Sequence, residues 1–301
     1  MLRLQPDEAL NSFYSRNIFF LQQPTAKNLR DLFGICTTDH WRRADFLRFI
    51  NKAGWPGREG LNFFLYRHTS YHRVNFSVFE FGAYDRRIYR INRTHILTNY
   101  IGTNLVRFCP LCIREDFEEL GFIYWRRNHQ SRDVKVCARH NSILVDSCEE
   151  CSKPYEEKSK YLETPWSGCE CGFCILDTKV EFSPDSGALM FSSFLDGIYS
   201  SEYQVNTWDQ YKAVEARLES LGLSSAADYY DYFADVLNKD LLRRLLFSAE
   251  GRDWCKPLHL FQSIYQYTAV LFSSFEDFSL SLDDIGAKKY PLSKSCYDLA
   301  Y

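Results

Sequence analysis

Eight of the eleven cysteines in this 301-residue chain lie between Cys109 and Cys174, and their spacing suits metal binding. The first set of candidate ligands consists of Cys109 and Cys112, followed by Cys137 and His140. Each Cys-x-x-Cys or Cys-x-x-His pair forms a short turn that directs two ligand atoms to one point. Two such turns supply the four thiolate and imidazole ligands that tetrahedral Zn²⁺ prefers. This set predicts one structural zinc ion.

A second set offers five thiols for four ligand positions: Cys148, Cys151, Cys169, Cys171 and Cys174. Pairing Cys171 with Cys174 repeats the Cys-x-x-Cys spacing and leaves an interval within the usual zinc range. Pairing Cys169 with Cys171 instead places Gly172 directly after the last ligand, as in zinc knuckles. Cys171 is common to both arrangements. The sequence therefore predicts a second structural zinc ion and leaves its fourth ligand open between Cys169 and Cys174.

Both predicted ligand sets are closed, because four protein ligands leave no coordination position for water or substrate. Zinc deaminases need His-x-Glu and Pro-Cys-x-x-Cys, whereas here Pro110 follows the cysteine and no histidine precedes a glutamate by two positions. The chain also contains no P-loop, no Gly-x-Gly-x-x-Gly and no Gly-x-Ser-x-Gly motif. These observations predict a protein that is not an enzyme and has no small-molecule substrate.

The cysteine pattern also bears on the compartment, since clustered thiols in a reducing environment indicate metal binding rather than disulfides. No apolar stretch is long enough to cross a membrane, and residues 1–8 lack the basic start and apolar run of a signal peptide. We therefore expect a cytoplasmic protein without a membrane partner.

Charge is distributed unevenly along the chain despite a net charge of only −3. Residues 40–139 contain 18 Lys/Arg against 9 Asp/Glu, whereas residues 140–239 contain 7 against 18. This asymmetry predicts one surface that faces nucleic acid and a separate one that faces protein, and solvated faces are the equal alternative. Six arginines near aromatic residues are candidates for nucleic-acid or partner binding: Arg86, Arg87, Arg90, Arg93, Arg126 and Arg127. The alternative for the first four is that their side chains snorkel from an amphipathic segment, and the alternative for the last two is contact with Glu115 and Asp116.

Hydrophobic periodicity predicts a mainly α protein in three parts. Residues 1–104 form a helix-turn-helix-like N-terminal helical domain, in which a first helix buries Leu10, Phe13 and Leu21. Residues 105–180 form a tandem zinc-ribbon or zinc-finger region with short strands, in which Tyr124–Arg127 occupy opposite faces of one helix. Residues 181–301 form a C-terminal helical bundle. Its predicted helices and one irregular segment have these bounds: helices 186–197, 207–221, 226–249 and 258–272, irregular chain over 277–284.

The cysteine-rich region resembles the TniQ/TnsD family of bacterial transposition target-selection proteins. The resemblance lies in the following run of residues: Cys109-Pro-x-Cys112-x-x-Glu115-Asp116, Gly121, Tyr124-Trp125-Arg126-Arg127-x-His129-Gln130, Val136-Cys137-x-x-His140 and Cys148-x-x-Cys151. The segment Asp7–Phe13 is similar to the opening helix of the family. The spare thiol within Cys169–Cys174 departs from the family pattern.

The resemblance implies a non-catalytic adaptor that marks an insertion site and recruits an AAA+ regulator, which then engages the transposase. Long members of the family bind an attachment-site DNA directly, through additional C-terminal modules. Short members associate with Cascade, an RNA-guided CRISPR effector carrying guide RNA at target DNA, often as a homodimer. Because this chain ends at Tyr301 and its second half is acidic, we expect the Cascade-associated form.

Two other functions remain open at this stage. The basic region over residues 40–139 and the helix-turn-helix-like start favour a stand-alone, sequence-specific DNA-binding target selector. A zinc metalloenzyme is the third hypothesis, and the closed ligand sets argue against it.

Overall fold

A computed structural model describes residues 2–20, 48, 51–52, 68, 106–131, 134–155, 164–201, 207–223, 232 and 264–287. These residues are mainly helical, as the sequence predicted, and extended segments meet only at isolated antiparallel bridges. Most of the predicted N-terminal helical domain after residue 20 lies outside the described residues, as do Arg86, Arg87, Arg90, Arg93 and the predicted helix 226–249. Within the described part of the chain, no helix is long and apolar enough to cross a membrane.

The described helices, in chain order, are α1 Leu10–Phe20, α2 Pro110–Leu120, α3 Thr164–Ser167, α4 Ser186–Ser200, α5 Thr207–Ser220, α6 Ile264–Phe272 and α7 Phe275–Asp284. Two short 3₁₀ helices span Asn128–Gln130 and Ile175–Asp177. The described residues fall into two compact units, with residues up to 184 in the first and residues 185–287 in the second.

The N-terminal segment of the first unit pairs with the chain that follows α2. The amide of Ala9 donates to the carbonyl of Trp125 over 2.8 Å, and the amide of Arg127 donates to the carbonyl of Asp7 over 2.8 Å. The expectation of a single helix carrying Tyr124–Arg127 is therefore wrong. Helix α2 ends at Gly121, whose φ of 74° is the left-handed conformation that glycine adopts freely, and the following residues run extended.

Aromatic side chains fill the core of the first unit. The ring of Phe108 lies 5.7 Å, between centroids, from the rings of both Trp125 and Tyr155. Each of these three side chains is buried, together with Val106, Ile113, Ile123 and Ile175. Since Cys148 and Cys169 belong to the same cluster, this core is continuous with the cysteine-rich turns.

A buried ion pair lies at the start of α1. The guanidinium of Arg16 donates to both carboxylate oxygens of Glu8, over 2.9 and 2.7 Å, and the Ser12 hydroxyl donates to the same carboxylate over 3.2 Å. Burial raises the pKa of Glu8 from its ordinary value, and the two-pronged contact with Arg16 opposes this rise. The pair orders the segment that contacts Trp125.

In the second unit, α4 and α5 each pack against both α6 and α7, which also contact each other. Phe278 on α7 lies 5.0 Å from Phe272 and 5.6 Å from Phe194, between ring centroids. The expectation of irregular chain over 277–284 is wrong. Helix α7 forms because the Ser274 hydroxyl accepts from the amide of Asp277 and caps its N-terminus, while Phe278 and Leu282 are fully buried. The predicted helices that begin at Ser186 and Thr207 are confirmed.

Replacing Glu8 by Gln should destabilise the first unit by about 3–5 kcal/mol, because it leaves the Arg16 guanidinium buried without its counter-charge. The measurement is urea unfolding of the full chain followed by tryptophan fluorescence. The matched control is Glu119→Gln on the exposed side of α2, which should change stability by no more than about 0.5 kcal/mol. Equal stabilities of the two variants would contradict a role for the ion pair.

Candidate metal centres

The first centre is built at the start of α2 and on a turn that faces it. Cys109 is the N-cap residue of α2, and its sulphur accepts from the amide of Cys112 over 3.4 Å. Pro110 occupies the first turn, where its missing N–H costs no hydrogen bond. The turn that starts at Cys137 is closed by the amide of Asn141, which donates to the Cys137 carbonyl over 2.9 Å. These two turns bring the four predicted ligands of the first set together.

The four donor atoms lie at the separations of a tetrahedral zinc site. The sulphurs of Cys109 and Cys112 each lie 3.4 Å from Nδ1 of His140, and the Cys112 and Cys137 sulphurs are 3.6 Å apart. Around zinc with Zn–S bonds of about 2.3 Å, two sulphurs lie about 3.8 Å apart, and a sulphur and an imidazole nitrogen lie about 3.6 Å apart. A disulfide would need about 2.05 Å, so the thiols are not bridged. The chemistry and spacing of the donors therefore fit Zn²⁺.

Two side chains outside the predicted ligand set hold these donors in place. Nε2 of His140 lies 2.9 Å from Oε1 of Glu115, which fixes the ring with Nδ1 toward the sulphurs. The hydroxyl of Ser142 lies 2.9 Å from the sulphur of Cys109. In the sequence, Glu115 is part of the family motif without any sign of this role, and Ser142 belongs to no motif.

The proximity of the thiols in the first centre separates their pKa values. The hydrogen bond from the Cys112 thiol holds the pKa of Cys109 far below its usual range, and the same contact raises that of Cys112. Contact with the Cys109 sulphur also raises the pKa of Cys137 to about 11. The Cys109 thiolate thus accepts hydrogen bonds from neighbouring thiols. A divalent cation bound among these sulphurs would displace the thiol protons.

The second centre includes Cys169 and not Cys174. The sulphurs of Cys148 and Cys171 are 3.6 Å apart, as are those of Cys151 and Cys169, and all four lie within 4.8 Å of one another. The four grouped cysteines thus correspond to the zinc-knuckle arrangement, in which Cys169 is paired with Cys171. Cys174 lies outside the group and is exposed.

Tight turns produce the second centre. The amide of Gly172 donates to the Cys169 carbonyl over 2.8 Å, and the Cys169 amide donates to the Phe173 carbonyl over 3.0 Å. Gly172 has a φ of 90°, a conformation that favours glycine. Although burial favours the neutral thiol of Cys148, nearby backbone N–H groups lower its pKa to about 7. Four sulphurs in this arrangement also fit Zn²⁺.

Three other residues that the sequence singled out lie beside the first centre. Arg126 donates to Asp116 over 2.5 Å, and burial raises the pKa of Asp116 to about 6 while the guanidinium limits the rise. Arg127 donates to Asp7 over 3.2 Å, and its side chain is 4% exposed. His129 is buried, which lowers its pKa to about 3 and keeps it neutral. Both arginines thus have internal partners, and their role in partner binding stays a prediction.

The comparison with protein families gives one match. Residues 1–144 match the model of the TniQ family. This range contains α1, the segment that pairs with it and all four donors of the first centre, and it ends before Cys148. A search of curated proteins finds no match.

Ligand variants should change the zinc content in a pattern that separates the two centres. We expect the native chain to bind two zinc ions, Cys112→Ser and Cys169→Ser to retain one each, and Cys174→Ser to retain both. Elemental analysis of protein purified without added metal makes the measurement. A Cys174→Ser protein with one ion beside a Cys169→Ser protein with two would reverse the assignment of the fourth ligand.

Removing the carboxylate that holds His140 should weaken the first centre without removing a ligand. We expect Glu115→Ala to lower zinc affinity by about 10–100-fold, because the imidazole loses its orienting partner. Competition with a chromophoric chelator measures this change. Glu118→Ala, an exposed residue on the same helix, is the matched control and should retain native affinity.

Proposed function

We propose that this chain, which carries a TniQ domain over residues 1–144, links an RNA-guided Cascade effector at target DNA to an AAA+ regulator and transposase. The match to the TniQ model supports a transposition-related target-selection adaptor, and this match is the observation that carries the proposal. The Cascade complex with guide RNA, the AAA+ regulator and a homodimeric state are the finer parts of the proposal.

The geometry of the two centres supports a docking role rather than a catalytic one. Each cluster offers four protein donors, which fill the tetrahedral coordination of zinc and leave no position for a reacting water or substrate. When bound, zinc would cross-link turns that are far apart in sequence. Cys109 and His140 would hold α2 against the turn that follows Val136, while Cys148 and Cys171 would join the ends of the second cysteine-rich segment. The result is a surface of fixed shape for a partner.

The matched range, residues 1–144, contains backbone pairing that would hold such a docking surface together. The segment Asp7–Ala9 pairs with Trp125–Arg127, and the hydroxyl of Ser12 accepts from the amide of Trp125 over 2.9 Å. Arg126 in turn binds Asp116 on α2, the helix that begins with the first zinc ligands. The first centre, α2 and the opening helix α1 are thus joined by direct contacts. This continuity supports the first unit as one docking element.

Charge supports a protein partner for the second unit. Its described residues carry nine carboxylates against two cationic side chains: Asp185, Asp196, Asp209, Glu215, Glu219, Glu276, Asp277, Asp283 and Asp284 against Lys212 and Arg217. Of the two cations, Arg217 is paired with Asp277. Such a surface repels the phosphate backbone of nucleic acid, so we assign this unit to protein contacts.

The alternative is a stand-alone, sequence-specific DNA-binding selector. The excess of Lys/Arg over residues 40–139 favours it. The two functions differ in their need for RNA. A stand-alone selector binds one duplex in a salt-dependent manner without guide RNA, whereas a Cascade-associated adaptor reaches its target only through the effector.

Co-purification with Cascade tests the proposal. We expect tagged chain to capture Cascade loaded with guide RNA, and Cys112→Ser to lose this capture because its first zinc centre is incomplete. The matched control is Cys174→Ser, which keeps both ligand sets and should capture as the native chain does. Pull-down followed by mass spectrometry and nucleic-acid analysis gives the readout.

Two results would contradict the proposal. One is the absence of any association between the native chain and loaded Cascade. The other is tight binding of the native chain to a single duplex in the absence of RNA, which would favour the stand-alone selector.

A further inference from the structure

The two metal centres differ sharply in their access to solvent. In the first centre, Cys109 is 0% exposed and Cys112 and Cys137 are each 1% exposed. In the second centre, Cys151 is half-buried and Cys171 is exposed. Because thiolate oxidation requires access of the oxidant to sulphur, the second centre is the one that an oxidant in solution can reach.

A further thiol lies close to the exposed ligand along the chain. Among the described residues, Cys174 is the one cysteine outside both clusters, and it is exposed like Cys171. Only Gly172 and Phe173 separate the two cysteines, which gives the Cys-x-x-Cys spacing that redox-active dithiols use. No described cysteine of the first centre has an additional thiol at this spacing.

The chain between the two exposed thiols has room to rearrange. Gly172 has a φ of 90°, and no atom lies within 4 Å of the position that a Cβ would occupy. Cys174 precedes the 3₁₀ helix Ile175–Asp177, whose first residue is buried in the core. A change of conformation at Gly172 can therefore move Cys171 toward Cys174 while the core residue Ile175 stays in place.

We propose that Cys171 and Cys174 form a reversible oxidation site that controls the second zinc centre, with hydrogen peroxide as the oxidant. The inference rests on the proposed zinc ion in that centre. The Cys171 thiolate attacks one peroxide oxygen, the O–O bond breaks, and sulfenic acid and hydroxide form. The Cys174 thiol then attacks the sulfenic sulphur, a disulfide forms, and water leaves with the thiol proton. The two sulphurs together give two electrons to peroxide.

Loss of one ligand would open the second centre. Three thiolates, Cys148, Cys151 and Cys169, remain for a zinc ion that prefers four donors, so the ion is released. Cys148 and Cys169 pack in the same core as Tyr155 and Phe108, so the loss of zinc loosens the second half of the first unit. The first centre retains its metal, because its thiols are buried and the Ser142 hydroxyl lies against the Cys109 sulphur.

Peroxide treatment of the zinc-loaded full chain tests this inference. Released zinc is followed with a chromophoric chelator, and free thiols are alkylated before peptide mapping of the tryptic segment 161–179, which contains Cys169, Cys171 and Cys174. We expect loss of one of two zinc ions and one disulfide in this segment, both reversed by dithiothreitol and added zinc. The variant Cys174→Ser should form no disulfide and should release zinc far more slowly than the native chain.

The possible outcomes distinguish failure of the proposed oxidation site from failure of the second zinc centre on which it depends. Equal rates of zinc release from the native chain and Cys174→Ser would overturn the oxidation site and leave the second zinc centre intact. Earlier oxidation of Cys109, Cys112 or Cys137 would also overturn it. A native chain that carries a single zinc ion would remove the second metal centre, and the oxidation site with it.

Discussion

The convergence of four donor atoms on one point, achieved twice between Cys109 and Cys171, is the constraint on which the first unit depends. In the described part of this unit, the extended segments meet only at isolated bridges, so no continuous strand ladder holds the turns together. Metal ligation would replace those missing backbone contacts, because a bound ion cross-links segments at distances fixed by its coordination geometry. The aromatic core of Phe108, Trp125 and Tyr155 lies against these turns and depends on their positions.

The same constraint connects the metal centres to the proposed docking role. Helix α2 begins at a ligand of the first centre and carries Asp116, which binds Arg126, and the chain beside Arg126 pairs with the N-terminal segment. The buried ion pair between Glu8 and Arg16, which lies within the N-terminal part of the chain, also orders that segment. A partner that recognises α1 would therefore contact a surface whose shape bound metal would fix.

The sequence is most informative where the spacing of ligands determines their chemistry. In the first centre, the Cys-x-x-Cys and Cys-x-x-His pairs identified the residues that the structure groups, because a turn of four residues leaves its ligand atoms little freedom. The sequence does not distinguish Cys169 from Cys174 as the fourth ligand of the second centre, since both spacings are stereochemically suitable. Only the turn around Gly172 selects Cys169. Periodicity predicted α1, α4 and α5, and α4 buries the clearest apolar stripe, which includes Phe191, Phe194 and Ile198.

In other parts of the chain, tertiary contacts override the secondary structure that the local sequence pattern favours. The expected helix over Tyr124–Arg127 fails because Gly121 ends α2 and the backbone of Trp125 instead pairs with Ala9, more than 100 residues earlier in the chain. Helix α7 was overlooked because its polar residues obscure Phe278 and Leu282 in the sequence, and Phe278 meets the rings of α4 and α6 only in the folded unit. Glu115 and Ser142 contact ligands across the first centre, and such contacts have no signature in spacing.

The most direct test of this account is zinc K-edge X-ray absorption on the native chain. Two closed centres, one with three sulphurs and one nitrogen and the other with four sulphurs, predict an average shell dominated by sulphur at about 2.3 Å with a minor imidazole contribution. A shell dominated by oxygen, or native protein without bound zinc, would contradict the claim that metal ligation holds this part of the molecule together.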